Sequence, residues 1–309
     1  MSSSLSDTGD SIEAFKNFLA ARPTIKEIIF SIAGRPAESS PSAPKSSPTN
    51  TREMLFYGAE SGDQFFVRLV GSEKEINQKI EGILGDAPKP FGGRFGSNFF
   101  LCGPGLVKLS PVSDASVETT VSRDSRGAKS LYGDLNGALN FGIFGGKRDS
   151  FRWDGNDFTF RITGVDEKII QLYRENGLTN DTTGGKLQSE SGVAKSIILS
   201  NYPVRIEYEY LKDSTLPAGI PSKFTVFKEG QVVNVYMIKS LITQQQPLSE
   251  GYFDPDRFFD RKSMFRVSVG TNGLIIFHDK AEKMAHNARA RKYYLEHLQE
   301  ARSGKGSVP

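Results

Sequence analysis

NYPVRIEYEYLKDSTLPAGIPSKFTVFKEGQVVNVYMIKSLI, residues Asn201 to Ile242, decides the fold class. Val204, Ile206, Tyr208 and Tyr210 alternate with Arg205, Glu207 and Glu209. That period of two belongs to a strand with one face on a core and the other in water. A turn-rich connector, Leu211 to Pro221, leads to a second strand from Lys223 to Phe227. Glu229-Gly230 is a short turn, and Val232 to Ile242, rich in β-branched residues, is a third, longer strand. Three consecutive strands make an antiparallel meander that other strands can extend. Its wet face is Arg205, Glu207 and Glu209, so its apolar face must meet either packed helices or a ligand.

Upstream, FRWDGNDFTFRIT (Phe151 to Thr163) reads as a hairpin about its DGN turn. Phe151 and Trp153 precede the turn; Phe158, Phe160 and Ile162 follow it, alternating with polar residues. This is the densest aromatic patch of the chain. Such a face either meets a core or lines a greasy concave surface for an apolar ligand.

Further strands are expected at Ile25 to Ile32, Glu53 to Tyr57, Gln64 to Val70 and Asn98 to Cys102. The last of these returns through Gly103-Pro104-Gly105 to Leu106–Leu109, and a final hairpin joins Phe265–Val269 to Leu274–His278 across Asn272-Gly273. A helix capped by Asp10 or Ser11 carries Ile12, Phe15, Phe18 and Leu19 on one face and closes before Pro23. Helices are also expected at Ser72 to Ile83, Leu131 to Phe144 and Asp279 to Ala301, the last strongly charged. The remainder reads as loop or turn. That includes the Ser-rich residues 1–9, the Pro- and Ser-rich stretch 35–51, KPFGGRFG within Gly85 to Gly96, the polar Asp114 to Ala128, and Asp181 to Gly185. Gly164 to Arg174 is expected to be partly helical.

With 37% hydrophobic residues, 22 Phe and 1 Trp, the chain supports a core packed on phenylalanine. Its 31 Gly and 15 Pro suit many short strands and turns. A net charge of +3 is too small to imply nucleic-acid binding by the whole molecule. No apolar run reaches the ~20 residues that span a bilayer. MSSSLSDTGDS, at the N-terminus, has neither the basic nor the apolar region of an export leader.

Chemistry-bearing residues are sparse. The lone cysteine, Cys102, lies in FFLCGPG and reads as a buried small hydrophobe. His286 and His297 are eleven residues apart on a helix, ~16 Å, too far to share a metal, and read as solvent-facing. Glu207 and Glu209 pair on a strand, but as its wet face; Asp254 and Asp256 in FDPDRF (Phe253 to Phe258) read as turn chemistry about Pro255. KPFGGRFG precedes a strand instead of opening a helix, which is the wrong context for phosphate. HNARARKYY (His286 to Tyr294) is basic with adjacent aromatics, a composition that suits RNA or an anionic membrane surface. Glu282, Glu296 and Glu300 flank it and weaken its field. No catalytic residue, metal site or cofactor is nominated.

The element order has a familiar counterpart. An amphipathic helix and strand lead into successive antiparallel strands with interposed helices. A late meander follows, with RIEYEY (Arg205 to Tyr210) and LPAGIPSKFTVF (Leu216 to Phe227). This resembles the LolA-like lipoprotein carriers and outer-membrane lipoprotein-sorting proteins over roughly Ser11 to His278. The resemblance implies an α+β fold: a curved antiparallel sheet, an incomplete barrel, closed by helices over an apolar cavity that holds acyl chains. On this reading residues 10–278 form one domain, followed by a charged helix and tail at 279–309. The expected protein is a non-enzymatic carrier of the periplasm or cell envelope, its leader removed. It would bind a lipid, an acyl chain or another hydrophobic ligand, with an envelope protein as a further candidate partner. Residues expected to line the site are Phe151, Trp153, Phe158, Phe160, Val204, Ile206, Tyr208 and Tyr210, with Phe224 and Val226 behind them. The alternatives are a cytoplasmic location, a hydrolase with a cleft between sheet and helices, and a scaffold docking through its C-terminal helix.

Overall fold

The computed structural model describes residues 8–34, 53–82, 84, 89–112, 123–143, 147–163, 182–200, 203–212, 214–260, 263–270 and 274–302. The chain is α+β, with fifteen strands in open antiparallel sheet and three α-helices among the described residues. In chain order it runs α1 (Thr8–Ala21), β1 (Thr24–Gly34), β2 (Met54–Ser61), β3 (Gln64–Val70), β4 (Phe91–Phe95), β5 (Asn98–Gly103), β6 (Leu106–Pro111) and α2 (Arg123–Leu139). There follow β7 (Lys147–Asp154), β8 (Asp157–Thr163), β9 (Thr182–Glu190), β10 (Val193–Leu199), β11 (Val204–Glu209), β12 (Lys223–Lys228) and β13 (Gln231–Gln244). The chain finishes with β14 (Phe265–Val269), β15 (Ile275–Phe277) and α3 (Lys280–Arg302). Two compact units divide it: residues 1–61 with 133–247, and residues 62–132 with 248–309.

The first unit contains the meander. Its strands lie in the order β2-β1-β13-β12-β11-β10-β9-β8-β7, each antiparallel to its neighbours. β11, β12 and β13 occupy the segments their alternation predicts, with Ile206 opposite Val226 and Tyr208 opposite Phe224. Residues directly opposite share a face, so one face collects Val204, Ile206, Tyr208, Phe224, Val226 and Tyr236, all buried. The other carries Arg205 and Glu207, paired at 3.1 Å, and Glu209, which binds Lys223 at 2.8 Å. Helix α1 packs on β10 and β7 and buries Phe15 and Leu19, one turn apart. It begins at Thr8, ahead of the expected cap, and ends at Ala21 before Pro23.

The second unit orders its strands β15-β14-β6-β5-β4-β3. β14 runs parallel to β6, unlike its antiparallel pairing with β15. Phenylalanines make its core: Phe66 lies 4.6 Å from Phe258, and Phe91 lies 5.2 Å from Phe100 and 5.1 Å from Phe258. Cys102 is buried as expected, and burial pushes its thiol well above the usual range.

Four local expectations are corrected. Among the described residues of the segment Ser72 to Ile83 there is one 3₁₀ turn, Glu73–Glu75, and no α-helix. Buried Arg68 takes the carbonyls of Ile76 and Gln78, at 3.3 and 2.9 Å, and Ile80 bonds the backbone of Phe258 at 2.6 Å. Tertiary partners thus claim the groups a helix would use. Gly92 and Gly93 of KPFGGRFG lie in β4, between β3 and β5, whereas Gly96 stands in the turn that follows. A Cβ on Gly93 would sit 2.2 Å from the Phe65 carbonyl oxygen and 2.7 Å from the Phe100 ring, so glycine serves close packing there. Helix α2 starts at Arg123, inside the stretch expected as loop. Finally, Thr182 to Gly185 belongs to β9 and not to a turn: Gly185 pairs with Phe158 of β8, and its Cβ would be 2.4 Å from that ring. The expectations for residues 1–7, 35–51, Gly164 to Arg174 and the Asn272-Gly273 turn lie outside the described residues.

Candidate functional site

All ten expected lining residues fall in the first unit, on β7, β8, β11 and β12 or, for Tyr210, just past β11. They divide by burial. Phe158, Phe160, Val204, Ile206, Tyr208, Phe224 and Val226 are buried, whereas Phe151, Trp153 and Tyr210 are half-buried.

The β7–β8 hairpin turns at Gly155, whose φ of 58° demands a residue tolerant of left-handed backbone. Its register sets Trp153 opposite Phe158, and a bulge lies between Asp149 and Arg152. There Ser150 adopts a φ of 53°, and the bulge re-aims Phe151 over its partners. Phe151 stacks on Phe158 at 5.4 Å and on Phe160 at 5.8 Å, with planes 10° and 9° apart. Phe158 and Phe160 are themselves stacked, 13° apart. Trp153 sits against both Phe151 and Phe158, at 5.2 and 5.1 Å. Its indole N–H donates to the Lys16 carbonyl of α1 at 3.2 Å, and the Lys16 ammonium lies 5.7 Å from its ring. A graded apolar wall results: buried at Phe158 and Phe160, half-open at Phe151 and Trp153.

The meander carries a second aromatic group on its buried face. Phe15 of α1 meets Phe141 at 5.5 Å and Tyr208 at 5.2 Å, both edge-on. Phe224 contacts Phe141 at 5.7 Å and stacks on Tyr236 at 4.7 Å. Phe141 and Gly142 follow α2 by one residue, inside the segment Leu131 to Phe144 that the sequence predicts as helix. Phe141 has a φ of 50°, unusual for a ring-bearing residue, and Gly142 has 81°. The Gly142 N–H returns to the Gly137 carbonyl at 2.8 Å, the six-to-one bond of a Schellman end. That reversal turns the Phe141 ring into the core, where the Tyr208 hydroxyl donates to the Phe141 carbonyl at 3.1 Å. The missed signal was the FG pair itself, an apolar residue followed by glycine at a helix end. Tyr210 is tied separately, its hydroxyl donating to the Ala194 carbonyl at 3.0 Å, and burial raises its pKa.

A carboxylate also stands beside this wall. Burial of Asp134 on α2 raises its carboxyl pKa from 3.8 to about 6; the Tyr236 hydroxyl is raised by its own burial first and then by the Asp134 charge. Folding favours the protonated carboxyl, so its contribution weakens stability as pH rises from 3.8 through about 6, and the loss is complete above that. Asp134→Asn is expected to raise stability by roughly 1 kcal/mol at pH 7, after screening by solvent, and to change nothing at about pH 3. Denaturant titrations at the two pH values check this; an equal gain at both would assign the effect to helix propensity.

In the second unit, the carboxylates of Asp254 and Asp256 both bind Arg266. The Asp254 side chain also accepts the Asp256 N–H at 2.9 Å, as the turn reading expects. His297 is exposed, but His286 is not solvent-facing: its ring packs 6.1 Å from Phe265 and 5.2 Å from Phe277. Burial there lowers its pKa. Among the described residues no group of three or more His, Cys, Asp or Glu could hold a metal ion, and no helix is long and apolar enough to cross a membrane.

No protein-family model matches the chain, and no curated protein does. The structure is similar to a LolA superfamily protein from Nitrosomonas europaea, at 10% identity and a TM-score of 0.36, with 82% of this chain and 98% of that one covered. It is also similar to a chain of the MucA/MucB complex of Pseudomonas aeruginosa, at 8% identity and a TM-score of 0.27, with 80% of this chain and 60% of that one covered. Both are likenesses of fold only, and ligand and activity rest on this chain's own residues.

Proposed function

We propose that the protein is a non-enzymatic binding protein of the cell envelope, located in the periplasm, whose first unit holds a lipid, an acyl chain or another hydrophobic ligand on its aromatic wall. The observation that carries this reading is the stacked set Phe151, Phe158 and Phe160. It runs without a polar break from the buried face of the sheet to the half-exposed Phe151 and Trp153. Phe158, Phe160, Val204, Ile206, Tyr208, Phe224 and Val226 supply the inner lining, and Tyr210 its polar edge. A ligand chain entering at Phe151 takes the place that Phe15 and Leu19 hold on the wall. It exchanges one apolar contact for another and gains from its own removal from water, about 25 cal/mol per Å² before ordering costs.

The test is uptake of a fluorescent fatty acid by the purified protein, with mass spectrometry of co-purifying lipid. Phe151→Ala and Trp153→Ala alter half-exposed rings, so the fold should survive. Each is expected to weaken uptake about tenfold, the scale of losing one large aromatic contact. Uptake unchanged in the folded double variant would show that the lining is wrong.

A further inference from the structure

Helix α3 carries a surface that the aromatic wall leaves unexplained. Its inward side is fixed by His286, packed on Phe265 and Phe277, and by Arg289, whose guanidinium lies 4.8 Å from the Phe265 ring. With ~100° per residue, fixing His286 inward places Met284, Ala288, Arg291 and Leu295 on the opposite side. All four are exposed, Met284 at 64% and Leu295 at 49%. Lys280, Lys292 and Arg302, also exposed, flank them within ~60° of the outward direction. Glu282 and Glu296 lie on the inward half, and Glu296 meets Lys292 at 3.8 Å. In sequence the acidic residues interrupt the basic run; around the helix they leave its outer face basic and apolar. Alongside, Leu274, Ile275 and Ile276 are exposed at and just before β15, the strand α3 packs against.

We infer that the outer face of α3 binds an anionic lipid surface, with the helix lying in the plane of the headgroups. The chemistry selects that partner. Met284 and Leu295 at the centre of the face gain from entering the acyl boundary, while Arg291, Lys292, Lys280 and Arg302 meet headgroup phosphates. A nucleic acid would answer the charges and leave the two central apolar side chains unanswered. A second α3 would set Arg291 against another basic face.

The test is co-sedimentation of the full-length protein with vesicles of phosphatidylcholine, with and without phosphatidylglycerol. Expected is binding to the anionic vesicles that weakens as salt rises, and little binding to phosphatidylcholine alone. Arg291→Glu with Lys292→Glu, and separately Met284→Asp with Leu295→Asp, should each reduce binding about tenfold or more. Lys186→Glu, on an exposed lysine of the first unit, should not. Absence of binding by the parent protein, or binding by both double variants equal to that of the parent, would overturn the inference. So would sedimentation as a dimer that the same substitutions dissociate, which would assign the face to a second copy. Lipid uptake by the first unit is read separately, so either result leaves the other standing.

Discussion

Phe224→Ala is expected to destabilise the first unit by about 3–5 kcal/mol, the range for truncating a buried aromatic. Phe224 is fully buried at the centre of the meander, with Phe141 and Tyr208 edge-on or tilted and Tyr236 stacked. The Phe141 and Tyr208 rings are held by the Schellman end of α2 and by the Tyr208 hydroxyl bond to the Phe141 carbonyl. They cannot collapse far into the space left, so the cavity term is felt in full. Phe224→Leu, which keeps most of the volume, should cost about 1 kcal/mol. The chain has one tryptophan, and it lies in this unit, so Trp153 fluorescence in a urea titration reports the unit directly. An alanine cost below about 1 kcal/mol would show that the face is not packed as described, leaving room for a ligand without displacement of Phe15.

The second large effect is at Gly142. Its φ of 81° penalises any side chain, and a Cβ there would lie 2.8 Å from the Val226 methyl and 3.3 Å from both Ile206 and Phe224. The left-handed backbone costs about 1–2 kcal/mol and overpacking about 1–3 kcal/mol, so Gly142→Ala is expected to lose roughly 2–5 kcal/mol. Gly155 supplies the control. It too is left-handed, at 58°, but a Cβ there meets nothing within 4 Å. Gly155→Ala should therefore show only the backbone part, about 1–2 kcal/mol. Urea midpoints of the two variants separate the contributions; equal losses would mean that the wall yields at Gly142 and that the Phe141 reversal is not tightly packed.

The candidate wall was legible in the sequence to an unusual degree, because strand alternation maps directly onto sheet faces. Phe158, Phe160, Ile206 and Phe224 point where period two sends them, and the DGN turn fixes the register of Phe158 and Phe160. Phe151 was legible as an aromatic but not in its placement, since the bulge at Ser150 shifts it over Phe158 and Phe160. Phe141 escaped as a wall residue: a helical pattern was extended through it, whereas a left-handed residue ends the helix and turns the ring inward.

By itself the sequence determined the α+β class, the meander, the amphipathic first helix and the sorting of apolar from charged strand faces, because these follow from local periodicity and from which side chains water rejects. Tertiary structure decided what local signals could not. Arg68 diverted Ile76 and Gln78 from helix, Phe100 and Phe158 made strand positions of Gly93 and Gly185, and His286 set which side of α3 faces out. In each case the deciding partner is distant in the chain, or the direction of packing is fixed only when two elements meet. A carbonyl is claimed, a Cβ is excluded, or a helix is rotated by groups that no window of neighbouring residues contains.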